Sequence, residues 1–147
     1  MSVDTSKRRL ADAEITAKVN TPAENTTVYS KAFDLGSPNK AFEGMEFEVL
    51  MAENADLDDG ETVTVTVMEH SAYDADAGAS DVQANFTTAS GQTDVVQTGA
   101  GGNGAAEKRF RFRPNSGTKQ FIAIKVVTSA SAGSSVAGKN CQVAALT

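Results

Sequence analysis

Tryptophan is absent from this 147-residue chain, histidine and cysteine occur once each, and proline three times. The lone thiol, Cys141, leaves no internal disulfide and no cysteine metal site. The lone imidazole, His70, is too few for the histidine cluster that a cupin-type enzyme needs. No apolar stretch approaches the roughly eighteen residues that read as a membrane-spanning helix, so no membrane partner is expected. With no Trp and only Tyr29 and Tyr73, the chain lacks the aromatic platforms on which a carbohydrate-binding module stacks sugar rings. Lys7, Arg8 and Arg9 imitate the start of a secretion leader. The following Leu10-Ala11-Asp12-Ala13-Glu14 puts carboxylates where the apolar region belongs, so export by that route is not expected.

Charge of one sign is also missing over long stretches. Residues 41–107 hold fourteen Asp and Glu and no Lys or Arg, whereas residues 108–147 hold seven Lys and Arg and no Asp or Glu. Two readings are open. The protein has a bipolar surface that orients it on a charged partner, or acidic strands pair with basic ones, at about 0.2–1 kcal/mol per cross-strand pair. The acidic excess makes nucleic acid an unsuitable partner.

What is present is β-pattern. In residues 107–113 Arg109, Arg111 and Arg113 alternate with Phe110 and Phe112, which gives one strand a wet and a dry face. Pro114 and Gly117 supply a turn, so residues 119–128 are expected to return as its hairpin partner. Ile122, Ile124 and Val126 line one face of that second strand, while Phe121 and Val127 lie on the other. A strand apolar on both faces is central in its sheet or covered from outside it. For Phe121 and Val127 the cover is either a segment of the same chain or a second copy, in a closed homodimer or homotrimer.

Strands are also expected over 26–35, 44–52, 61–69, 85–88, 93–98 and 140–146, joined by turn-rich segments and with no long helix. Residues 70–83 read as a polar loop and 99–106 as a flexible connector. In residues 1–20, Leu10, Ala13 and Ala17 have helical spacing, but the apolar face is too thin to fold alone. The expected fold is all-β: a single antiparallel jelly-roll or β-sandwich domain of about eight strands over 21–147, with an extended N-terminal arm over 1–20. Phe47, Val49, Val63, Val65, Phe110, Phe112, Ile122 and Ile124 are expected in its core. If jelly-roll neighbours bring acids and bases together, Arg109 to Arg113 should lie beside 61–69, and Lys119 and Lys125 beside 43–48.

No reactive constellation stands out. Gly99, Gly101 and Gly104 match a dinucleotide-binding fingerprint in spacing, but the run opens a strand instead of a helix, and no acidic residue follows for the ribose. Asp56, Asp58 and Asp59 before Gly60 resemble a calcium loop, yet the twelfth position counted from Asn54 is Val65, so a plain Asp-Gly turn is expected. No nucleophile elbow surrounds any serine. The chain is expected to be neither an enzyme nor a cofactor binder.

Three stretches carry a family resemblance: Tyr29-Ser30-Lys31-Ala32-Phe33-Asp34-Leu35-Gly36, the alternating Val strands, and Arg113-Pro114-Asn115-Ser116-Gly117-Thr118-Lys119-Gln120-Phe121-Ile122. Ser131-Ala132-Gly133, Val136-Ala137-Gly138 and a leading Ala11-Asp12-Ala13 add to it. Together they resemble the single-jelly-roll cement (decoration) proteins of tailed-phage capsids, the type first described in a Bordetella phage. Where that family's hairpin has paired prolines, this chain has only Pro114. The resemblance implies a non-enzymatic protein, made in the bacterial cytoplasm, that binds the major capsid protein on the virion exterior at subunit junctions. Lys7, Arg8, Arg9 and Leu10 on the arm, with Phe121 and Val127, are the candidate oligomer and shell contacts. The competing class is a carbohydrate- or receptor-binding jelly roll of a tail fibre.

Overall fold

A computed structural model describes residues 11–36, 46–115 and 117–146. The strands are β1 (Ala11–Asn20), β2 (Thr27–Tyr29), β3 (Phe33–Asp34), β4 (Glu46–Met51), β5 (Thr62–His70), β6 (Thr87–Thr88), β7 (Val95–Thr98), β8 (Lys108–Phe112), β9 (Phe121–Thr128) and β10 (Asn140–Leu146). One short helix, α1 (Ala79–Asn85), precedes β6. The first sheet runs β1-β10-β4-β8 and the second β2-β9-β5-β6, with β3 also on β9 and β7 also on β5. All these ladders are antiparallel. β2 with β3 and β6 with β7 are two interrupted strands, each pairing along one neighbour. Counting each once gives eight strands in the interleaved order of a jelly roll.

Period-two alternation builds the core. Val63, Val65 and Val67 of β5 and Ile122, Ile124 and Val126 of β9 face Phe47, Val49 and Met51 of β4 and Cys141, Val143 and Ala145 of β10, all buried. Phe47 joins the layers through an edge-on contact to Phe33, at 6.2 Å, and packs edge-on against Phe112 of its own sheet, at 5.6 Å. Burying a side chain of this size contributes roughly 1.5–3 kcal/mol.

Several expectations are corrected. Residues 11–20 are not an arm, because they form β1, an edge strand registered on β10 from Thr16 opposite Ala144 to Asn20 opposite Asn140. Ile15, Ala17 and Val19 alternate onto the core, and this period of two outweighs the helical spacing of the alanines. Nor is residue 20 a boundary, since the Thr21 hydroxyl donates to the Val136 carbonyl across the domain at 2.7 Å. Residues 1–10, with Lys7, Arg8, Arg9 and Leu10, lie outside the described residues.

The expected hairpin does not form either. β8 ends the first sheet, β9 is central in the second, and the link between them crosses from one sheet to the other. It bends at Asn115, whose side-chain oxygen accepts the Gly117 N–H at 2.9 Å while its carbonyl accepts the Thr118 N–H at 3.2 Å. A strand apolar on both faces is stable in the middle of a sheet, whereas one with a row of arginines suits an edge. The charge neighbours are therefore exchanged: Arg109 and Arg111 lie beside β4, and Lys125 lies beside β5, opposite Thr66. Phe110, placed in the core by its alternation, is 41% exposed, while Phe112 is half-buried against the core.

Two connections are more ordered than their composition implies. The 70–83 segment leads into α1, whose Val82 is fully buried on the outer face of the second sheet. Val82, Phe86, Met68 and Ala123 form a second apolar cluster, with Tyr29, Ala32, Tyr73 and Phe121 around it. The glycine-rich 99–106 segment is clamped against residues 54–59 through bridges between Asp59 and Gly99 and between Asn54 and Ala105. A Cβ on Gly99 would lie 2.3 Å from the Asp58 carbonyl oxygen, and one on Gly104 2.2 Å from that of Asn54. Those glycines serve close backbone approach.

Candidate functional site

β8 is the terminal strand of its sheet among the described residues, so one of its edges is hydrogen-bonded to β4 and the other has no described strand beside it. Its residues from Lys108 to Arg111 are all exposed. On the outer face, Arg109 Nη1 lies 2.8 Å from Glu48 Oε1, and Arg111 Nε lies 2.9 Å from Glu48 Oε2. One carboxylate thus holds two guanidinium groups, and its side chain is 7% exposed against 54% and 53% for the arginines. Arg109 Nε also donates to Glu107 Oε1 at 2.8 Å. The bond to Glu107 and the charges of Glu107 and Glu48 push the Arg109 guanidinium above its usual pKa.

These bonds set where the cations lean. Glu48 is on β4, so Arg109 and Arg111 fold back over their own sheet and leave the free edge uncovered. Arg113, just past the strand, has no ion pair with any described residue. On the inner face Phe110 stacks on Phe112, with ring centroids 6.2 Å apart and planes at 28°. Phe112 is half-buried against Phe47, but Phe110 sits at the mouth of the sandwich. Lys108 closes the adjoining seam by donating from Nζ to the Val96 carbonyl of β7 at 2.6 Å. The result is a cationic strand edge with one ring left partly in water.

The other candidates are structural. Residues 55–59, Gly102 and residues 133–135 line an open cavity of about 620 Å³. Two of its three carboxylates are engaged: Asp56 pairs with Lys139 at 3.3 Å, and Asp59 accepts the Gly102 N–H at 2.9 Å. No group of three metal-ligating side chains occurs among the described residues. Asp56 to Gly60 is a turn, as expected, with the Asp58 carbonyl accepting the Glu61 N–H at 3.1 Å. His70 stacks on Phe86 at 5.6 Å, and its Nδ1 accepts the Ala72 N–H at 3.0 Å.

Of the residues singled out in the sequence, Phe121 is half-buried in the α1 cluster, 5.8 Å from Tyr73. Part of its cover comes from the same chain, from Tyr73 and the α1 cluster. Val127 is half-buried between Thr27 and Thr64. Six residues along β9 separate the two by about 20 Å at the rise of an extended strand, so they do not make one contact spot. Sequence reasoning missed Glu48 as the counter-charge and the exposure of Phe110. The signal was the Arg/Phe alternation itself, in a segment with no carboxylate to cover it.

No protein-family profile matches the chain, and no curated protein matches its sequence.

Proposed function

We propose that the protein is a capsid cement protein, which binds the outer surface of a phage head at subunit junctions and stabilises the shell. Its partner is the major capsid protein, and its place is the virion exterior. The observation that carries this reading is the β8 edge: a strand braced by Glu48, with backbone groups unpaired by any described strand and Phe110 partly in water. Rigid elements present a binding surface at low ordering cost. The jelly-roll order and the motif resemblance support the same reading. A shell offers many equivalent sites, and a contact repeated over a closed lattice holds it firmly even where each contact is weak.

The test is to mix the purified chain with phage heads lacking it and sediment the heads. Saturable, stoichiometric co-sedimentation, with heads that withstand higher temperature or lower salt, is the expected result. Heads that neither retain the chain nor gain stability overturn the proposal.

A further inference from the structure

We infer that the free edge of β8 is the docking line for an extended acidic segment of a partner polypeptide, which adds a fifth strand to the β1-β10-β4-β8 sheet. The owner of that segment rests on the shell-binding reading. The edge stands on its own geometry.

Three observations converge on one stretch. β8 is terminal in its sheet among the described residues, so its outward backbone N–H and C=O groups have no described strand to pair with. Lys108, Arg109, Arg111 and Arg113 put four cations within six residues, countered among the described residues only by Glu48 and Glu107. Phe110 stands 41% exposed among them. Edge strands often carry charges to repel other edges, but a protective edge gains nothing from an exposed phenyl ring. Here Arg109 and Arg111 also lean toward β4, away from the line a new strand would take.

The charge selects the occupant. A second copy paired antiparallel through β8 about Phe110 would set Arg109 of one copy opposite Arg111 of the other, on both sides of the two-fold axis. Like charges directly opposite each other destabilise a pair of strands. An incoming strand with carboxylates on its outer face instead meets Arg113, which has no ion pair with a described residue, and runs along a stretch whose four cations are countered by two described carboxylates. Its alternate apolar side chains lie beside Phe110 on the core side, where that ring loses its remaining contact with water. Main-chain bonds supply the affinity of such strand addition, and the alternation of side chains its specificity.

The probe is a fluorescently labelled peptide of alternating Glu and Val, titrated into the full-length protein and followed by anisotropy and by backbone amide NMR. A matched peptide of alternating Thr and Val and a single-stranded oligonucleotide serve as comparators. The expected result is saturable binding of the acidic peptide, with amide shifts and slowed exchange at residues 108–113. Arg113→Glu and Phe110→Glu should each weaken it by about tenfold, and rising ionic strength should weaken it further. Both positions are exposed, and an unchanged urea midpoint confirms that the variants fold. Absence of binding, equal binding of the neutral peptide, preference for the oligonucleotide, or self-association through residues 108–113 that strengthens with salt each overturns the inference. The two proposals fail separately. Heads that bind the chain while the peptide does not leave cement function without this edge, and the reverse leaves the edge without the heads.

Discussion

Glu48 is buried beneath two arginines that are themselves half in water, and this asymmetry makes a measurable prediction. Removing one guanidinium while keeping the bulk, as in Arg109→Met, leaves Glu48 bonded to Arg111. The cost should be that of an exposed ion pair, about 0.5 kcal/mol. Arg111→Met should behave alike. The double variant is different, because two apolar stems then cover a carboxylate with no counter-charge. Breaking up a buried pair by removing the partner costs about 3–5 kcal/mol. The double variant should therefore lose about 3 kcal/mol, with a coupling energy of about 2 kcal/mol beyond the sum of the singles. For a chain of this length that is a fall of about 10 °C in Tm. Two further variants isolate the cause. Adding Glu48→Gln to the double methionine variant should restore most of the loss, since a neutral amide is far less costly to cover. Replacing both arginines by alanine should cost less than replacing both by methionine, because truncation lets water reach Glu48. Urea unfolding at neutral pH, with the m-value unchanged across the set, supplies the numbers. If the methionine singles add to the double within about 0.5 kcal/mol, Glu48 is satisfied in another way and the bracing of β8 is misread.

Three other predictions rest on separate parts of the fold. Gly104→Ala sets a Cβ against the Asn54 carbonyl oxygen at a φ of +70°, whereas at Gly102, with φ +74°, the space is open; urea unfolding should give losses of about 3 and about 1 kcal/mol, and equal losses would remove the close-approach argument. Val82→Ala empties part of the α1 cluster and should cost about 2 kcal/mol, with amide exchange in residues 79–86 accelerating more than in β5 or β9; uniform acceleration would mean that α1 is no separate unit. Cys141 is buried, and burial pushes its thiol up to about 12 from 9.0, so the folded state holds its proton more tightly. Stability from this group is full below the ordinary thiol pKa and falls as pH rises from about 9 toward 12, by up to about 1.4 kcal/mol per pH unit. Wild type should accordingly lose stability relative to Cys141→Ala between about pH 8 and 10.5 in urea titrations, and a constant gap would refute it.

The fold was largely legible because period-two patterns report which face of a strand is buried. Val63-x-Val65-x-Val67 and the Ile122-x-Ile124-x-Val126 row both point into the core. The same patterns say nothing about which strand lies beside which. Pro114 and Gly117 mark a reversal of the chain, but a reversal inside one sheet and a crossing between two use the same turn residues. That ambiguity hid both the partner of β8 and the exposure of Phe110, because an inward-pointing ring is buried only where the opposite sheet extends beneath it. α1 was hidden for another reason. Its seven residues offer Val82 as the one fully buried anchor, so its order comes from docking on Phe121 and Ala123 instead of from helical propensity.

The charge blocks are explained by topology, and the candidate site follows from where that explanation stops. A jelly roll interleaves early and late strands, so segregation along the chain becomes mixing in space. β4, from the acidic block, lies between β10 and β8 from the basic one, and β5 lies against β9. A chain with mixed charge in every strand would gain nothing from such an order, whereas this one brings Glu48 under Arg109 and Arg111 without any local pairing. Both readings of the charge pattern thus have a place. Acid meets base along the β4 edge of β8, where a neighbouring strand exists. Beyond its other edge the interleaving of the described strands ends, and the cations of residues 108–113 exceed the described carboxylates within reach. The strand missing from that edge is one that the order of the described strands does not supply, which is why we assign it to a partner.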